Sequence, residues 1–211
     1  MFDIEYKGGN TVVLSTKKAT IVVDPKLSVV GLKDIIVKDG IEIATEARFA
    51  VDNPNARLEI EGPGEYGVAD FDIKGIAAQR HLDDETSELL STIYRIEIGD
   101  VRIGLLGNIY EKLSDTQLEE LGVVDILIIL VGGGGYTLDA TGATSLVRQI
   151  DPKVVIPVHY SDNALKYEVP QDTLETFTKE LGAPVETTAK YKVKQLLNLP
   201  SALTVVEVTR S

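Results

Sequence analysis

Hydrophobic and polar positions divide the chain into two halves of different character. Over the first hundred residues, β-branched and apolar runs alternate with polar turns. Residues 11–14 and 20–23 read as strands joined by Ser15-Thr16-Lys17-Lys18, with Asp24-Pro25 ending the second. Residues 34–38 read as a further strand, turning at Asp39-Gly40 so that residues 41–44 pair back on it. Strands are also predicted over 57–60, 71–76, 91–98 and 101–106, the last two joined by the tight turn Gly99-Asp100. The second half alternates helices with apolar strands. Ser114 opens a helix that Gly122 stops, and residues 125–131 form a continuous apolar run suited to a strand buried on both faces. Asp139 or Thr141 caps a helix ending at Ile150, residues 153–158 are a second buried strand, residues 170–181 a last helix, and residues 202–208 the final strand. Helices packed outside two sheets satisfy both halves of this pattern in one domain, residues 1–211.

Composition narrows the function classes. With 33 acidic against 21 basic residues, the net charge of −12 argues against a nucleic-acid partner, whose phosphates it would repel. There is no cysteine, which excludes disulfides and thiolate chemistry and fits a cytoplasmic protein. No targeting signal is read in the first residues, and the most apolar run is too short to span a bilayer, so no membrane partner is expected.

The candidate chemistry is sparse. The two histidines, His81 and His159, stand at the ends of apolar segments, and neither has a second histidine at metal-ligand spacing. Gly133 and Gly134 lie in a four-glycine run after a buried strand but lack the spacing of a phosphate loop. Residues 61–66, Glu-Gly-Pro-Gly-Glu-Tyr, read as a tight turn that could carry Glu65 towards a site. Asp24 and Asn108 follow strands and each alone reads as a turn former.

Taken in order, these segments resemble the metallo-β-lactamase superfamily, in its branch of small bacterial Zn-dependent hydrolase-like proteins. The resemblance is carried by Val22-Val23-Asp24-Pro25, the Gly-Pro-Gly-Glu-Tyr string, Leu106-Gly107-Asn108, the segment from Val124 to Ala140, and Ile150 to Tyr160. It implies a four-layer αββα sandwich with a dinuclear metal site at the sheet edges. The ligand set departs from that family. Its H-x-H-x-D-H motif is expected after the strand at 34–38, which puts Gly40, Glu42, Ala44 and Thr45 in the ligand positions. Asn108 replaces the bridging aspartate, and Lys7-Gly8-Gly9-Asn10 stands where a further histidine is usual. His81 and His159 match ligand positions and are read as a remnant.

Three functions remain open at this point. The leading one is a degenerate member without a competent dinuclear centre or cofactor, binding a small molecule or protein and plausibly homo-oligomeric. The second is a metal-dependent hydrolase with a reduced mononuclear Zn or Mn site at His81 and His159, aided by Glu42 or Asn108. The third is a metal-free ligand site lined by Asp24, Asn108, His159 and the glycine loop. All expect His81, Asn108 and His159 to converge on one cleft, with Gly40 and Ala44 lining it and Asp24 in its floor.

Overall fold

Phe2, Ile4 and Tyr6 alternate with Asp3, Glu5 and Lys7, and this period of two makes a first strand, β1 (Phe2–Gly8), with its apolar side buried. The computed structural model describes residues 1–83 and 88–211. Next come β2 (Thr11–Ser15) and β3 (Thr20–Val23), the expected hairpin, and then β4 (Ile41–Ile43) and β5 (Leu58–Ile60). With a late strand, Tyr191–Val193, beside β1, these form a six-stranded sheet.

The second sheet has eight strands. It contains β6 (Gly64–Val68), β7 (Phe71–Ala78), β8 (Ser91–Ile98), β9 (Val101–Leu106), β10 (Ile126–Leu130), β11 (Val154–Val158) and β12 (Val185–Thr188). Counting Tyr191–Val193 as β13, the last member is β14 (Thr204–Val208), which lies between β11 and β12. Side chains from both sheets, among them Ile4, Leu14, Ile43, Tyr94, Ile128 and Ile156, fill the layer between them.

Three helices cover the outer face of the eight-stranded sheet: α1 (Asp115–Leu121), α2 (Ala140–Ile150) and α3 (Leu174–Leu181). Leu121, Leu146, Val147 and Phe177 pack there against Ile93, Leu127, Ile129 and Val205. Ser114 and Gln117 form a reciprocal capping box at α1, and Asp139 caps α2 through the amide of Gly142. This is the expected mixed α/β sandwich of two sheets. Among the described residues, no α-helix packs on the outer face of the six-stranded sheet. The connection between β4 and β5 covers Glu42 there through Asn53. No helix of the described residues is long and apolar enough to cross a membrane.

Several segments differ from the sequence reading. Residues 34–38 are not a strand, and residues 41–44 do not pair back on them. Instead β4 lies parallel to both β3 and β5, which leaves residues 24–40 as the crossover that a parallel pair requires. Backbone groups in that crossover bond to the carbonyls of Pro25 and Asn55 rather than to a ladder. The glycine-proline string is a bend only at residues 62–63. From Gly64 it is an edge strand that leaves Glu65 exposed on the open sheet surface. The last helix begins at Leu174 because residues 170–172 are tied elsewhere, the amide of Asp172 donating to the carbonyl of Gly132 at 2.7 Å.

The parallel ladders position the site. β3 and β4 run parallel in one sheet, and β9, β10 and β11 in the other. Their carboxyl ends meet along one edge of the sandwich, where polar groups collect beyond the apolar strands. Tyr94 of β8 ties the sheets together just inside that edge, its hydroxyl donating to the carbonyl of Ala44 at 3.0 Å. Tyr94→Phe is therefore expected to lower stability by about 1–2 kcal/mol, because the Ala44 carbonyl loses a buried donor. Urea unfolding followed by circular dichroism measures this, with the slope of the transition unchanged.

Candidate functional site

Four of the strands reaching the carboxyl edge deliver polar residues to it. Asp24 follows β3, Thr45 and Glu46 follow β4, Asn108 follows β9, and His159 follows β11. Asp24 and His159 both have left-handed backbones, with φ of 47° and 55°, a conformation that non-glycine residues adopt at a cost and that clusters at sites. The amide of His159 is held by the Gly9 carbonyl at 3.0 Å and the Tyr6 hydroxyl at 3.2 Å, so the turn is anchored from the facing sheet.

A cleft of about 490 Å³ opens at this edge. Asn10, Arg48, Asn108, Thr137, His159, Glu168 and Gln171 supply its polar lining, and Phe49, Leu130, Tyr136, Tyr167 and Val169 apolar walls. A smaller adjoining cavity is lined by Asp24, Asn10 and His159. The Asp24 carboxylate is buried and accepts from the Thr45 amide and hydroxyl, both at 2.7 Å. Burial pushes its pKa up to about 7 against the pull of those bonds. Nδ1 of His159 meets Oδ1 of Asn10 at 2.5 Å, and its ring leans on Tyr167 with centroids 4.7 Å apart. Burial, with the nearby Arg48 charge, brings the imidazole down to about 4, so it is neutral at pH 7.

The loop after β4 carries the feature that sequence reasoning missed. Glu46 and Arg48 form a two-point ion pair, Nε to Oε2 at 3.1 Å and a second bond at 3.4 Å. Glu46 is buried, and desolvation holds its carboxyl above the usual range, while Arg48, Arg80 and Asn108 pull it back. The Arg48 guanidinium lies 4.5 Å from the Phe49 ring centroid and stays half-exposed at the cleft. Glu46 and Arg48 have the i, i+2 spacing of the first two histidines of H-x-H-x-D-H. They follow the strand that the structure places at Ile41–Ile43, six residues later than the register anticipated.

The remaining candidates distribute unevenly. Asn108 and His159 share the cleft. His81 stands next to them, its amide donating to the Asn108 carbonyl at 3.3 Å, but it is not part of the cleft lining, and its Nδ1 is buried without a partner. Gly40 and Ala44 do not line the cleft. Gly40 packs on Val37 and accepts from the Arg57 amide, because it belongs to the crossover rather than to the motif loop. Glu42 points to the outer face of its sheet and binds Asn53, away from the cleft. Gly133 and Gly134, with φ of 65° and 70°, shape the loop that presents Tyr136 and Thr137 to the cleft. Gly132 is required by space, since a side chain there would meet the His159 carbonyl at 2.0 Å.

This donor set does not fit the metal centre that the resemblance implies. Among the described residues no three His, Asp or Glu side chains gather around one point. Nδ1 of His159 is engaged by Asn10, and the Glu46 carboxylate of the loop after β4 is committed to Arg48 rather than free for a cation.

Asp24 and His159 make a balanced pair in acid. Unfolded, Asp24 loses its proton near 3.8 and His159 near 6.5, whereas folded they do so near about 7 and about 4. Asp24, raised by folding, contributes stability that is present below 3.8 and lost as the pH climbs towards about 7. His159, lowered by folding, contributes stability that is present above 6.5 and lost as the pH falls towards about 4. Between about pH 4 and 6.5 the folded and unfolded pairs each hold one proton, and the two slopes cancel. Relative to wild type, His159→Gln should lose stability as the pH rises through this window and Asp24→Asn should gain it, each by about 1 kcal/mol per pH unit. Denaturant titrations at several pH values check both signs.

Comparison with known proteins adds the following. The Beta-lactamase superfamily domain model matches residues 3–159. The crystal structure of a proposed Zn-dependent hydrolase of the metallo-beta-lactamase superfamily from Thermotoga maritima superposes with a TM-score of 0.75 at 24% identity, over 99% of this chain and 100% of that one. Igni18, a metallo hydrolase from Ignicoccus hospitalis, does so with a TM-score of 0.63 at 14% identity, over 92% and 99%. A UPF0173 protein of Pyrococcus abyssi is 31% identical over 102 residues, 48% of this chain and 44% of the relative, so the match spans less than half of that protein's length. At these identities the structures share the fold.

Proposed function

Since this chain belongs to the beta-lactamase superfamily, we propose that it keeps the superfamily's sandwich as a metal-independent binding protein whose ligand enters the cleft between Arg48, Asn108 and His159. The observation that supports this most is the Glu46–Arg48 ion pair. It puts an internal cation in the loop where the motif would supply two metal-ligating histidines, and its positive charge is already neutralised by Glu46. His159 is neutral at pH 7, and the Asp24 carboxyl group is occupied by the Thr45 amide and hydroxyl. Apolar walls and a few inward polar groups are the usual make-up of a small-molecule site.

The competing reading is a mononuclear hydrolase, and the relatives' names are its support. It needs His81, His159 and a carboxylate on one ion. Glu42 is unavailable because it is committed to Asn53 on the other side of its strand. A single metal held by two histidines would also lack a placed general base for its water.

Protein purified without a metal-affinity tag, dialysed and analysed for Zn and Mn, should hold well under one equivalent of either. Adding these ions should not produce turnover of a generic phosphodiester or lactone. A stoichiometric, tightly held metal, or metal-stimulated hydrolysis abolished by His159→Ala, would overturn the binding reading.

A further inference from the structure

The carboxamides of the cleft have their orientations set by their NH2 groups, and this determines what the cleft offers a ligand. The Asn108 amide donates to the Glu46 carboxylate. Gln171 Nε2 donates to the Val169 carbonyl at 3.0 Å. Asn10 turns its carbonyl towards Nδ1 of His159, and its NH2, on the Asp24 side, is buried without a hydrogen-bond partner. With these bonds made, Oδ1 of Asn108 and Oε1 of Gln171 are buried and have no partner. The Thr137 hydroxyl is also buried and unpartnered. His159, neutral and donating from Nδ1 to Asn10, presents Nε2 as an acceptor. The cleft therefore offers a ligand three side-chain acceptors, Oδ1 of Asn108, Oε1 of Gln171 and Nε2 of His159. The donors are the Asn10 NH2, the Thr137 hydroxyl and those N–H groups of Arg48 not bound to Glu46.

Unsatisfied buried acceptors are costly, and a ligand that supplies N–H groups to several of them gains what the protein alone forgoes. The walls favour a flat, apolar body, since Phe49, Tyr136 and Tyr167 all face the cleft. A polyol would strand most of its hydroxyls against them. An anionic ligand would find Arg48 already neutralised by Glu46, and a cationic one would find, among the lining residues, only the solvent-exposed Glu168 carboxylate.

We propose that this cleft binds a small uncharged heterocycle or primary carboxamide, of nucleobase-like chemistry, whose N–H donors are read by Asn108, Gln171 and His159. The proposal rests on the binding reading above and goes further by specifying the hydrogen-bond polarity of the ligand. Arg48 takes the ligand's carbonyl through an outer N–H, and Tyr136 and Tyr167 flank its ring.

The test uses the intact chain and ligand-observed NMR with matched probes: uracil against 1,3-dimethyluracil, benzamide against N,N-dimethylbenzamide, and benzoate as an anion control. At least one parent should bind in the millimolar range or tighter, its methylated partner about tenfold weaker or more, and Asn108→Leu should erase that difference. Gln171→Leu, at a half-buried position, provides a second variant if Asn108→Leu does not fold. Equal binding of parent and methylated probes, binding of benzoate alone, or no binding of either parent at about 10 mM would each overturn the proposal. The outcomes separate the two claims. Bound metal or metal-driven hydrolysis defeats the binding reading, whereas N-methyl-insensitive binding defeats only the assignment of ligand class.

Discussion

The organisation of the cleft depends on a pair of residues two apart, Glu46 and Arg48, at the end of a three-residue strand. A buried carboxylate is costly unless it is paired and hydrogen-bonded, and Glu46 has both a guanidinium and the Asn108 amide. Meeting that need orients three neighbours. Arg48 is drawn across Phe49 to the cleft mouth, the Asn108 NH2 is committed, and the Asn108 side-chain oxygen Oδ1 is left buried without a partner. An apolar residue at position 46 would remove the reason for each of these placements.

The fold makes this economy of residues possible. Parallel ladders in both sheets send their carboxyl ends to one edge, so residues separated by more than a hundred positions meet without any of them lying in a shared motif. The apolar strands behind them, fully buried on both sides in β10 and β11, are rigid and carry no function of their own. The titratable groups at the edge are handled locally. Thr45 holds Asp24, Asn10 holds His159, and Arg48 holds Glu46. Each is desolvated, and the His159–Asn10 contact joins the edges of the two sheets.

Much of the fold was legible in the sequence because the strands and helices follow plain periodicities, with caps at Ser114 and Asp139 where expected. The crossover at 34–38 was not. Its apolar residues and the Asp-Gly pair imitate a hairpin, and only the long-range choice of β3 as partner for β4 rules that out. Reading 34–38 as a strand put the motif register at Gly40 and Glu42, whereas the residues that follow the strand at Ile41–Ile43 include Glu46 and Arg48. The alternation of Phe2, Ile4 and Tyr6 was visible as a strand signal but lay outside the segments read as structured. In the site, Asn108 and His159 were legible through the family resemblance, since at a strand end each alone reads as an ordinary residue. Gln171 and Thr137 were not, because their place in the cleft follows from the glycine loop docking on residues 170–172, a tertiary event.

A double-mutant cycle of Glu46→Gln and Arg48→Met, read as unfolding free energy, tests the central claim most directly. If the pair organises the cleft, the two substitutions should be coupled by about 1 kcal/mol, a modest value because Arg48 is half-exposed to solvent. Substitutions that add within about 0.3 kcal/mol would contradict the account, leaving Glu46 and Arg48 as neighbours without a joint role.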